Sequence, residues 1–333
     1  MKVYLTLDYE LFMGEEVGTV DNCLIKPTEK LINILDKYNA KATFFVDAAY
    51  LYRLSQLKDG NDLLCSDFEK VKQQLIWLVT NGHDVQLHIH PQWYNATYQD
   101  GKWMLTTTYY KLSDLDENEA YSLFFKSKDL LESIINKPVI AFRAGGYSIQ
   151  TFQNINKLFK ESGIRIDSSA LPMKKSQEGP QAYDYTAIVP GVTYTFNDNI
   201  EKKEINGFFT ELPITTCRQG FFQALKGSIV YHLTPSEKLK KYGDGKPVKV
   251  IGHKKKNLLA RIIAGSRQWH SATIDSGGAH NLLNIFRMSS EENVFVIIGH
   301  PKNLSDASLR NIDVFFQKLS DRNGVELVSS IIE

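Results

Sequence analysis

The chain has 333 residues, 43% of them hydrophobic and 23% charged, and a net charge of +1. That composition supplies a sizeable apolar core and excludes a disordered, collagen-like or coiled-coil chain. No apolar run approaches the roughly 20 residues that span a bilayer, and Cys23, Cys65 and Cys217 are too scattered for a disulfide framework or a zinc ribbon.

Met1 leads directly into Lys2-Val3-Tyr4-Leu5-Thr6-Leu7 without a secretory pattern, so a cytoplasmic chain beginning at Met1 is expected. Val3 to Leu7 reads as a strand and Pro27 to Tyr38 as a helix with Leu31, Ile34 and Leu35 on one face. Ala42 to Val46 reads as a second strand. Ser66 is placed as the cap of a helical stretch that stops at Asn81-Gly82, and Asp84 to His88 follows as a third strand. Further on, Glu117 to Asn136 and Gln150 to Ser162 read as helices, with Val139 to Phe142 and Ile164 to Ile166 extended. Near the end come a buried strand at Val294 to Ile298, a helix from Ser305 to Ser320 and a closing strand at Val325 to Val328. Such alternation predicts an α/β fold with a parallel sheet covered by helices, closed as a barrel or open and doubly wound.

The rhythm fails between about Leu171 and Gly278, where only Tyr185 to Val189 and Gly207 to Ile214 look like strands. Within that stretch, Lys226 to His270 carries 11 Lys or Arg against Glu237 and Asp244, a local balance of +9 that leaves −8 for the rest. A solvated face is the bland reading; peripheral contact with phosphates or an anionic membrane is the functional one, with Lys254 to Lys256 beside Leu258, Leu259, Ile262 and Ile263. His253, His270 and His280 lie in or beside this stretch, and their spacing argues for no chemistry.

Parallel α/β folds build their sites where strands end. The first strand ends Asp8-Tyr9-Glu10, whose two carboxylates share one side of an extended backbone. The third ends His88-Ile89-His90-Pro91-Gln92-Trp93, a same-side imidazole pair suited to a metal. Arg143-Ala144-Gly145-Gly146-Tyr147, Asp167-Ser168-Ser169 and Gly299-His300-Pro301 end three more, and the glycine pair permits a close backbone approach to a ligand.

In order and spacing these segments resemble the NodB-type polysaccharide deacetylases, over residues 1 to about 170 and 290 to 333. The resemblance implies a distorted (β/α)7 TIM-like barrel, with 1–333 as one catalytic domain carrying an irregular insertion at about 171–280. It implies a metal-dependent hydrolase that removes an N-acetyl group from an acetamido sugar, with a divalent ion, most readily Zn2+, on Glu10, His88 and His90. By position, Asp8 takes the role of general base and His300 that of general acid. Arg143 steadies Asp8, and Asp167 holds His300. Trp93, Gly145, Gly146 and Tyr147 are the substrate-binding candidates. Tyr9 and Gln92 depart from the family's usual ligands. A nucleotide- or lipid-linked precursor of a surface polysaccharide is the expected substrate, and no nucleic-acid partner is implied. A metal-independent amidohydrolase of a small cyclic amide and a non-catalytic sugar-binding homologue are the alternatives.

Overall fold

In the computed structural model of the chain, residues 1–178, 181–247, 263, 265–319 and 324–332 are described. Lys254 to Lys256 and the apolar residues 258, 259 and 262 fall outside them, as does His253.

Among the described residues nine strands form the main sheet: β1 (Lys2–Tyr9), β2 (Thr43–Asp47), β3 (Asp84–Ile89), β4 (Ala141–Ala144), β5 (Ile166–Asp167), β6 (Tyr194–Phe196), β7 (Phe209–Glu211), β8 (Val294–Gly299) and β9 (Val325–Glu326). Its order is β6-β7-β5-β4-β3-β2-β1-β8, with β9 beside β1, and only the β6–β7 pair is antiparallel. Strands such as Thr43-Phe44-Phe45-Val46-Asp47 are buried on both faces, as a helix-covered parallel sheet requires.

The chain running on from β7 bridges to the free edge of β8 outside the named strands. Ile214 N donates to Ala170 O (3.0 Å) and Thr215 N to Val296 O (3.0 Å), while Val296 N donates to Thr215 Oγ1 (2.8 Å). Ala272 N then bonds Thr215 O (2.8 Å), Ile298 N bonds Ala272 O (2.9 Å), and Ile274 N bonds Ile298 O (3.0 Å). The irregular stretch therefore closes the barrel.

The helices are α1 (Lys26–Leu35), α2 (Ala48–Leu57), α3 (Asp62–Thr80), α4 (Glu117–Ile135), α5 (Asn156–Ser162), α6 (Phe221–Leu233), α7 (Leu282–Met288) and α8 (Asp306–Lys318). Asn61, not Ser66, caps α3, its side chain accepting from Leu64 N at 3.1 Å, because an Asx side chain at the last extended residue satisfies the open amides. Asp116 and Glu119 box the start of α4, and Asn136 ends it in the left-handed region. The expected helix from Gln150 is only α5 plus a short turn at Phe152–Asn154. Tyr185 to Val189 is turn rather than strand, with Ile188 N bonded back to Tyr185 O at 3.1 Å. Among the described residues no helix is long and apolar enough to cross a membrane.

Register sets the site level. Asp47 lies opposite His88 and His88 opposite Arg143, while Asp167 lies opposite Glu211, so their side chains gather at one end of the sheet.

Candidate metal centre and active site

Alternation along β1 sends Tyr9 into the core, where its hydroxyl donates to Gln74 Oε1 (2.8 Å), and turns Asp8 and Glu10 to the other face. His90 continues β3 in extended geometry, so His88 and His90 share a face with ring centroids 4.8 Å apart. Glu10 Oε2 lies 3.1 Å from His88 Nε2 and 2.5 Å from His90 Nε2. One ligand atom from each of these buried residues falls within 4.8 Å of the others. His88 Nδ1 lies 2.7 Å from the Arg143 carbonyl, and His90 Nδ1 faces Gln92 Oε1 at 3.4 Å. With an ion bound, protons on both Nδ1 atoms would satisfy those acceptors and leave both Nε2 lone pairs for the ion. Three acceptor atoms this close need positive charge among them, from protons or a metal ion, and two imidazoles with a carboxylate are a donor set suited to zinc. Gln92 thus lies against the side of His90 that faces away from Glu10.

Two residues outside the recognised segments complete the surroundings. Lys302 Nζ sits 2.9 Å from Glu10 Oε1 and donates to Leu11 O at 2.6 Å. Burial alone would raise the Glu10 pKa, but Lys302 and the two histidines hold it well below the usual carboxylate range. Asp275 binds His300 twice, Oδ1 accepting from the backbone N and Oδ2 facing Nδ1, both at 2.8 Å. Burial works to lower the His300 pKa, yet the charge and hydrogen bond of Asp275, with Asp8 and Glu10, lift it to about 9. His300 Nε2 looks toward Asp8 Oδ2 (3.6 Å) and Glu10 Oε1 (3.7 Å). The other Asp8 oxygen accepts from Arg143 Nη1 at 2.7 Å. Arg143 is itself fixed by Thr6 Oγ1, by Ser168 O and Oγ, and by the Phe45 ring.

The polysaccharide deacetylase family model matches residues 15–165, a span that holds His88, His90 and Arg143. Over that span the chain is similar to polysaccharide deacetylases. No curated protein matches the sequence. Among solved structures, one from Mycobacterium smegmatis described as a polysaccharide deacetylase is 15% identical, covering 92% of this chain and 76% of its own at a TM-score of 0.47. The polysaccharide deacetylase Bc1974 from Bacillus cereus is 13% identical over 98% of this chain and 91% of its own, with a TM-score of 0.42. The allantoinase PuuE is 9% identical over 99% and 88%, at 0.48.

Two expectations need correction. Asp167 does not hold His300; its carboxylate accepts from Ser169 N (3.0 Å) and Ser169 Oγ (2.8 Å) and pairs with buried Glu211. Asp275, arriving from the irregular stretch, takes the place at His300. Trp93 offers no floor to a sugar, because it is fully buried and its Nε1 donates to Asp47 Oδ2 (2.8 Å). The same Asp47 accepts from His90 N (3.2 Å), tying the end of β2 to the metal-ligating segment. Asp47 could have been found by the strand-end argument applied to β2. For Tyr147, burial and the charges of Asp8 and Asp275 keep the phenol well above the usual tyrosine range. Gly145 is needed for packing, since a Cβ there would stand 2.7 Å from His90 Nδ1. Gly146 has φ +58°, and a Cβ on it would strike the Tyr110 hydroxyl.

Burial and the adjacent Asp167 hold Glu211 well above its ordinary pKa of 4.5, so the native pair keeps a proton that the unfolded chain releases. The native state then binds more protons than the unfolded one above that value, and this pair makes stability fall as pH rises. Glu211→Gln, which replaces the protonated carboxyl by a neutral amide of similar shape, should flatten that fall by about 1 kcal/mol per pH unit. Thermal melts of both proteins from pH 5 to 7 check this; parallel curves would refute it.

Proposed function

We propose that the protein is a metal-dependent N-deacetylase of an acetamido sugar, working in the cytoplasm on a nucleotide- or lipid-linked polysaccharide precursor. The observation that carries the proposal is the convergence of Glu10, His88 and His90 on one point, with Asp8 and His300 facing it. Such an ion, Zn2+ by the donor set, would polarise the amide oxygen and acidify a water. Asp8, anchored to Arg143 through one oxygen, keeps the other free to take a proton from the attacking water. His300, charged at neutral pH because of Asp275, delivers its Nε2 proton to the departing sugar nitrogen, which leaves as the amine while the acyl group leaves as acetate. Tyr147 and the Gly145-Gly146 turn border the substrate. In this reading 1–333 acts as one catalytic domain, and its insertion supplies Asp275.

A lipid carrier finds support in α6. Phe222, Lys226, Ile229 and Leu233 recur on one exposed helical face that carries no carboxylate, a pattern suited to an anionic membrane surface.

One observation favours metal-independent amide hydrolysis instead: the Lys302 ammonium already lies against Glu10. Metal analysis combined with amine release from a panel of nucleotide- and lipid-linked acetamido sugars separates the readings. About one ion per chain is expected, lost together with turnover in His90→Ala. Full turnover after exhaustive chelation would leave the second reading standing.

A further inference from the structure

A cleft of about 600 Å3 opens between α6, the strand Trp269–Ser271 and the turn Ala279–Asn281. Three buried polar atoms of its lining residues have no hydrogen-bond partner among the described residues: Gln219 Nε2, His280 Nδ1 and Asn281 Oδ1. Gln219 is only 1% exposed. Native proteins seldom leave buried donors and acceptors unanswered, so three beside one opening point to a ligand that answers them. The charge of the lining narrows its class. The titratable side chains there are Lys174, Tyr231, His232, His270 and His280, with no Asp or Glu among them. Lys174 Nζ has Ser271 Oγ at 3.3 Å, and burial lowers its pKa, the response of an ammonium short of compensating charge. Trp269 and Tyr231 add the broad faces on which a sugar ring rests. A neutral sugar would leave the half-buried Lys174 ammonium unopposed, and a bare phosphate would leave the aromatic faces unused.

We propose that this cleft is a second binding site, distinct from the Glu10-His88-His90 centre, that takes a phosphorylated sugar. Its phosphate meets Lys174 and the histidines, and its hydroxyls meet Gln219 and Asn281. The inference does not depend on the deacetylation reading.

Calorimetric titration of the full chain with N-acetylglucosamine 1-phosphate, N-acetylglucosamine and inorganic phosphate tests it. The sugar phosphate should bind saturably and at least tenfold more tightly than either half. Lys174→Met and Gln219→Leu should each weaken it tenfold or more while amine release from the panel substrates stays unchanged, and His90→Ala should leave this binding intact. Asn281→Ala serves if either of the first two fails to fold. Binding that disappears in His90→Ala but survives Lys174→Met would place the ligand at the metal centre and overturn the proposal, as would the absence of saturable heat.

Discussion

Asp8→Asn should fold, retain its metal and lose turnover by about a hundredfold to ten-thousandfold, the range general-base catalysis supplies. The substitution keeps an oxygen for Arg143 Nη1, now at 2.7 Å from Asp8 Oδ1. Arg143 also keeps Thr6, Ser168 and Phe45 as partners. Alanine would be a poorer test, since stripping one partner from a buried ion pair costs about 3–5 kcal/mol and confounds chemistry with folding. What the amide lacks is a site for the proton of the attacking water. Circular dichroism, metal content and kcat measured on one preparation check the prediction, and a folded, metal-loaded variant with near-normal kcat would remove Asp8 from the mechanism.

Asp275→Asn should shift the alkaline limb of the rate profile. In the native protein His300 stays protonated up to about 9, chiefly through Asp275 acting against burial. Above that pH the imidazole loses the proton it must deliver, and the rate falls. Asparagine can still accept from the His300 backbone N but carries no charge, so the pKa drops and the fall begins at lower pH. A downward shift of about one unit is expected, with about a twofold loss of kcat at pH 8, a loss approaching tenfold at about pH 10 and almost none at pH 6. A merely structural role would depress kcat equally at every pH, and that outcome would count against the assignment.

The difference between Asp167 and Asp275 shows where sequence reasoning reaches. Asp8, Glu10, His88 and His90 were legible because two-residue spacing on a strand fixes a common side, whatever the rest of the chain does. The core strands were legible for a similar reason: Val294 to Ile298 is apolar throughout, as burial on both faces demands. Asp275 sits in a stretch with neither helical nor strand period, and it reaches His300 only through long-range hydrogen bonding of its segment to β8. Lys302 was invisible for another reason. A lysine two residues beyond a strand-end histidine ordinarily lies in solvent, and the Glu10 carboxylate, the Leu11 carbonyl and the Phe12 ring together draw this one inward. Trp93 failed in the opposite direction, because an indole beside a site serves equally well as core, and the Asp47 carboxylate decides for core.

The closure of the barrel by Thr215 and Ala272 to Ile274 makes the irregular stretch a stave of the wall rather than an ornament on it. Cutting residues 171–280 away would strip β8 of its partner and leave an unpaired edge prone to join another molecule. The same backbone run that seals the wall at Ile298 delivers Asp275 one residue later, so architecture and proton chemistry share one reading frame. Deleting a single residue between Ala272 and Asp275 would rotate the carboxylate to the opposite side of the strand. His300 would lose its partner while every strand of the sheet stayed in place.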